Sequence, residues 1–378
     1  MFRAALIIVT IGLCAALDLP LAYDVFRGHW ITDYTVFWQA AQSALSRPEI
    51  LYDGEAMTLA QDWVGRPGPR PWIYPPSALT ALIPFAPLPY WQSYIVFTTT
   101  TGAAFFAAAA HYLGSQWRAG LPLVAIAFPV TFAAYSGQMV FLLAAAVLPA
   151  IALLPTRPIL AGVLFGLAGA VKPQLLILAP LAMIAGRHLA SLAASFTAGA
   201  LLCLLSVALF GWSPWFNWLA ALPGFLAMVK GMDIVAWGIT PTTILWSAGI
   251  DGPVEMAIRT AFIVVAIVAV WRIFRVTPSI PHRLTALIGG GFFCSPYAMN
   301  YELVFLMPVA AQLLLGAGRS NGWITAIAAG GLMCAFLNLA PFLAMAFIIV
   351  VCAATPGLVP LPRPRSTRRH STGNINDN

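Results

Sequence analysis

The chain has 378 residues, of which 61% are hydrophobic and only 8% charged, with 19 Lys and Arg set against 12 Asp and Glu. A mean hydropathy of +0.86 excludes a water-soluble globule, and apolar runs of spanning length recur from one end to the other. The composition is that of an all-α, polytopic integral membrane protein, in which an excess of bases marks cytoplasmic loops rather than a nucleic-acid partner. The five cysteines lie in apolar runs without CxxC spacing and the five histidines are scattered, so no disulfide framework, metal site or cofactor is expected.

Taken in chain order, predicted spans fall near 4–22, 91–113, 121–136, 138–154, 159–172, 173–186 and 189–211. They continue near 254–274, 283–295, 302–317, 320–337 and 339–355. That makes about twelve, several of them shorter than the ~20 residues of a straight crossing. The first run ends at Asp18 and Pro20 without a small-residue cleavage site, so it reads as an uncleaved span. Tight turns such as "RAG" at 118–120 leave no room for soluble domains. One membrane domain, 1–355, is followed by a basic tail, 356–378, whose composition predicts disorder.

Basic residues set the orientation. With the N-terminus inside, Arg3, Arg118, Arg157, Arg187, Arg272, Arg275, Arg283, Arg319 and the tail arginines all face the cytoplasm, as does the C-terminus. The opposite side then receives two long segments, 23–90 and 212–253. The first carries Asp24, Asp33, Glu49, Asp53, Glu55 and Asp62, half of the acids in the chain. Acid–base chemistry on the outer face must draw mainly on them.

Within that first segment "DYTVFWQAAQSAL" has helical spacing and "DGEAMTLAQDWV" fits a second short helix. The pair Pro75-Pro76 forbids helix at Tyr74 and can start one at Pro76. The run from Ser77 to Leu88 is too short to span and is cut by Pro84 and Pro87, so it is either a re-entrant piece or an ordinary hydrophobic loop. Asp33 stands directly before the first helical pattern, as an N-cap, a reacting group, or both. Lys172, one of two lysines, sits at the outer end of a span just before Pro173, where it either snorkels or serves a site. Arg259 lies inside a span and either pairs with Glu255 or serves a site too.

Three blocks carry a family resemblance. "TDYTVFWQAAQSAL…ILYDGEAM…WIYPPSALTALIPFAPLPYW", the stretch 135–184 with its Gly137-Gln138 and Lys172-Pro173 pairs, and "CSPYAMNYELVFLMP" at 294–308 together resemble glycosyltransferase family 87, of the GT-C superfamily. The resemblance implies a GT-C-type helical bundle with a large first extracytoplasmic loop bearing membrane-parallel helices. It implies transfer of a mannose-like hexose or a pentose from a polyprenyl-phosphate donor to a lipid or glycan acceptor, at a bacterial inner (plasma) membrane. On this plan Asp33 is the general base, and Lys172 and Arg259 bind the donor phosphate. Tyr34, Trp38, Tyr52, Tyr74, Gln138, Asn300, Tyr301 and Glu302 are then the substrate contacts. Where many members carry Trp and His after the Ser-Pro, this chain has Met299, Asn300, Tyr301 and Glu302, which removes one phosphate or sugar contact. The competing class is a secondary carrier or lipid-glycan flippase, against which stand the absence of a repeat between halves and the clustering of acids in one loop.

Overall fold

The computed structural model describes residues 2–27, 33–64, 70–232, 235, 237–316, 322–335 and 339–355. The tail from 356, Arg319, Arg66 and His29 lie outside the described residues. Everything regular among the described residues is helical. In chain order the α-helices are α1 Phe2–Arg27, α2 Tyr34–Ser46, α3 Gly54–Leu59, α4 Pro76–Leu79, α5 Tyr90–Leu113, α6 Trp117–Ile126, α7 Phe128–Ser136, α8 Val140–Leu153 and α9 Pro158–Val171. They continue as α10 Ala179–Ala185, α11 Leu189–Phe210, α12 Ser213–Lys230, α13 Pro241–Ser247, α14 Gly252–Val276, α15 Ile280–Cys294, α16 Met307–Gly316, α17 Gly322–Met333 and α18 Ala340–Ala353.

Among the described residues four helical stretches are long and apolar enough to cross a membrane: Phe2–Val25, Tyr90–Ile126, Leu189–Phe210 and Gly252–Val276. The other predicted spans are occupied by shorter apolar helices. Proline accounts for much of the shortening. The span expected over 121–136 breaks at Ala127, whose backbone is extended (φ −64°, ψ 129°); Pro129, in the first turn of α7, has no N–H to continue a helix through the break. That expected over 173–186 becomes a 3-10 turn, Pro173–Leu176, and the short α10. The span expected over 302–317 opens as a 3-10 segment, Asn300–Leu306, before α16.

Helix pairing follows small residues rather than hydrophobicity, because lipid is as apolar as leucine. On α9, Gly162 and Gly166 lie one turn apart and press on α11. A Cβ at either would sit 2.2 Å from the Ser191 or Ser195 carbonyl oxygen. On α15, Gly291 admits the Pro173–Leu176 turn, since a Cβ there would lie 2.3 Å from the Leu175 carbonyl.

The described part of the segment between α1 and α5 is packed, not draped. α2 buries Tyr34, Phe37, Ala40, Ala41 and Ala44, a helical stripe, against the start of α5 and the 82–89 turn. Tyr34 Oη bonds Ser93 Oγ at 2.8 Å, Thr35 Oγ1 bonds Tyr90 Oη at 3.1 Å, and Trp38 Nε1 donates to the Leu88 carbonyl at 3.0 Å. α3 is capped by Asp53, whose carboxylate accepts from the Glu55 and Ala56 amides at 3.1 and 3.0 Å. α4 begins at Pro76 as expected and is buried throughout, with Ser77 Oγ donating to the Ala170 carbonyl at 2.6 Å. That bond ties the Pro-rich segment to the end of α9, beside Lys172.

Candidate functional site

Asp33 is not a cap. Its backbone is already helical (φ −63°, ψ −16°) and its side chain makes no capping bond to α2. The carboxylate is instead exposed, and Oδ2 accepts a 2.7 Å hydrogen bond from Gln138 Nε2. An ionised carboxylate only accepts, so it selects the amide NH2 of Gln138 and holds it inward.

The Gly137-Gln138 pair explains how a residue 105 positions away arrives there. α7 ends in a Schellman turn: the Gln138 amide returns to the Ala133 carbonyl and the Gly137 amide to Ala134, at 3.1 and 3.2 Å. Gly137 adopts φ 66°, and a Cβ on it would come within 2.7 Å of Tyr34 Cβ and 2.9 Å of the Tyr94 ring. Glycine is therefore required twice, for the left-handed turn and for the approach of the residue that follows Asp33. Tyr94 Oη closes the same helix end by donating to the Ala134 carbonyl at 2.8 Å.

Lys172 does not snorkel. Pro173 takes it out of helical geometry (φ −140°, ψ 78°) and its ammonium turns into the bundle, 2.6 Å from Glu302 Oε1. Both side chains are buried, at 8% and 4% exposure. The Tyr74 ring lies 5.4 Å from the ammonium, within cation–π range.

Three phenols join the two pairs. Tyr74 lies within electrostatic reach of Lys172, Glu302 and Asp33, and Tyr301 within reach of Tyr74, Asp33 and Glu302. Tyr297 faces Lys172 and Tyr74. Burial raises both Tyr74 and Tyr297 above the usual phenol range while Lys172 pulls them down, so both remain hydroxyl donors at neutral pH. Phe132 stacks on Tyr301, with centroids 6.2 Å apart and planes at 28°. Tyr297 was missed as a site residue, although it stands inside the Ser-Pro block; its partner Lys172 is what marks it.

The other predicted contacts sit elsewhere. Tyr34 is a core residue, and Trp38 packs edge-on against Trp63 at 5.7 Å. Tyr52 is a scaffold residue: its Oη donates to the Tyr74 carbonyl at 2.8 Å and accepts from Trp72 Nε1 at 3.3 Å. From the segment after α11, Trp218 Nε1 of α12 donates to the Ile73 carbonyl at 2.9 Å, fixing the same strip of chain. Asn300 is buried beside Tyr301 with its Oδ1 unbonded. Arg259 lies near Cys294; no salt bridge joins it to Glu255 among the described residues, and its Nε and the Glu255 Oε1 are each buried without a partner. Among the described residues no group of His, Cys, Asp and Glu is arranged to hold a metal ion.

A helical membrane protein that gathers an exposed carboxylate, a buried cation and three phenols around the ends of its helices is built for polar chemistry. The model of glycosyltransferase family 87 matches residues 72–296, more than half of the chain, and the protein belongs to that family. It is a glycosyltransferase. Tyr74, Gln138, Lys172 and Arg259 fall inside the matched stretch, whereas Asp33, Tyr34, Trp38, Tyr52, Asn300, Tyr301 and Glu302 lie outside it. No curated protein and no solved structure matched the chain.

Proposed function

We propose that the protein transfers a mannose-like hexose or a pentose from a polyprenyl-phosphate carrier to a hydroxyl of a lipid or glycan acceptor on the extracytoplasmic face of a bacterial plasma membrane. The observation that carries this reading is the placement of Asp33: an exposed carboxylate oriented by Gln138, sharing Tyr74 and Tyr301 with the buried Lys172–Glu302 pair. The acceptor oxygen bonds to the anomeric carbon as the bond from that carbon to the phosphate oxygen breaks. Asp33 takes the hydroxyl proton, and polyprenyl phosphate departs with the electron pair. A phosphate needs no general acid to leave, only positive charge and hydrogen-bond donors. Lys172 and the Tyr74 hydroxyl supply them, with Arg259 as a second cation. In the free enzyme Glu302 occupies Lys172, and the donor phosphate takes its place. The shorter apolar helices complete a GT-C-type bundle of about twelve crossings, with α2 and α3 lying along the outer surface and both termini in the cytoplasm.

The test is transfer by the purified chain in lipid nanodiscs, given a lipid extract as acceptor and radiolabelled polyprenyl-phosphate mannose or pentose as donor. Label should pass into a lipid or glycan product only when the polyprenyl-phosphate sugar is present. Transfer directly from a nucleotide sugar, with no polyprenyl carrier, would overturn the donor assignment.

A further inference from the structure

A second feature centres on a carboxylate other than Asp33. A pocket of about 450 Å³ opens between α1, α5 and α7. Its lining is mostly apolar, from residues such as Leu21, Val25 and Ile95, with Asp18, Thr98, Thr131 and Tyr135 as its polar members. Asp18 lies towards the C-terminal end of a helix long and apolar enough to cross a membrane, where a carboxylate facing a groove is a candidate site. Thr131 Oγ1 donates to Asp18 Oδ1 at 2.6 Å, but no described residue donates to Oδ2. Thr98 Oγ1 in the same lining is buried and unpartnered. An open acceptor beside an unused hydroxyl suits a group that both donates and accepts, which a ligand hydroxyl does. A phosphate would meet the Asp18 carboxylate and be repelled, so the lipid-linked donor does not fit here. The apolar lining matches an alkyl chain.

The pocket is linked to the reaction site through α7. α7 carries Thr131 and Tyr135 and then turns through Gly137 to Gln138, which holds Asp33. Tyr94, another pocket residue, bonds the last carbonyls of that helix. From Thr131 to Gln138 the rise is about 10 Å at helical spacing.

We propose that this pocket binds the hydroxylated head of a neutral, lipid-borne acceptor, with Asp18 and Thr98 reading its hydroxyls and α7 leading it to Asp33. Its assignment as the acceptor site rests on the transfer reaction proposed above. The binding itself is tested with a photoreactive octyl glucoside on the full chain in phosphatidylcholine nanodiscs. Labelling should fall on α5 and α7 peptides lining the pocket, and be competed by octyl glucoside but not by octylphosphocholine. Asp18→Asn, which keeps the shape and the Thr131 contact, and Thr98→Val should each weaken labelling about tenfold. In the transfer assay Asp18→Asn should raise the acceptor KM by a similar factor and leave the donor KM unchanged. Equal labelling of the parent and both variants, or equal competition by octylphosphocholine, would reduce the pocket to a lipid groove and overturn the proposal. Asp33→Asn separates the two ideas: it should label normally whether or not transfer is lost.

Discussion

The buried pair Lys172–Glu302 offers a quantitative test. Replacing Lys172 by Met removes the partner of a carboxylate that is only 4% exposed and 2.6 Å from the ammonium. Breaking one side of such a pair costs about 3–5 kcal/mol, because the remaining charge is buried without compensation. Removing both, as Lys172→Met with Glu302→Leu, should return stability to within about 1 kcal/mol of the parent or above it. The coupling energy of this double-mutant cycle is therefore close to the sum of the two single losses, since Glu302→Leu alone strands the buried ammonium in the same way. Unfolding by SDS in mixed micelles, followed by far-UV circular dichroism, gives all four free energies. The donor reads a different quantity. The stable double variant should still show a donor KM raised about 10- to 150-fold, the worth of a lost charge-assisted bond to phosphate. Glu302→Gln should lower the donor KM, since the carboxylate that competes for Lys172 has gone. A Lys172→Met protein as stable as the parent, with no coupling to Glu302, would refute the reasoning and leave a lysine that reaches water.

Three further outcomes are expected. Gly137→Ala should destabilise the chain by roughly 1–2 kcal/mol through its left-handed backbone alone, and by more as the new methyl meets Tyr34 at 2.7 Å; turnover should fall with it as Gln138 shifts from Asp33. Gly169→Ala on α9, with nothing within 4 Å of its added methyl, should be neutral or stabilising by up to about 1 kcal/mol, measured in the same SDS titration. Topology is checked with membrane-impermeant maleimide on single cysteines at the exposed positions Glu49 and Arg187 in a cysteine-free background. Glu49→Cys should label in intact cells and Arg187→Cys only after lysis; labelling of Arg187→Cys but not of Glu49→Cys in intact cells would reverse the assignment of the outer face.

Local chemistry was legible in the sequence where one or two residues dictate the backbone. Pro75-Pro76 starts α4 where the steric rule puts it, and Asp53 caps α3. Asp33 stands in the same position before α2 yet turns away, because Gln138 lies in reach and its own backbone is already helical. The Gly-Gln and Lys-Pro pairs were visible as motifs, but their purpose depends on partners 105 and 130 residues distant, which no local pattern encodes. Tyr34, Trp38 and Tyr52 illustrate the converse. Aromatic rings in an outer loop read equally well as sugar contacts or as packing, and these three hold α2 and the 72–74 strip in place. The apolar runs were legible as membrane-seeking segments, but proline positions broke several into pieces too short for the lengths their hydropathy suggested.

The central claim is that Asp33 takes the acceptor's proton, and Asp33→Asn tests it most directly. Asn keeps the size of the side chain and a hydrogen bond to Gln138 but cannot accept that proton. Single-turnover transfer with saturating polyprenyl-phosphate sugar should slow by about 10²-fold or more, with donor KM and SDS stability unchanged. A well-folded Asp33→Asn enzyme that transfers sugar at close to the parental rate would contradict the account.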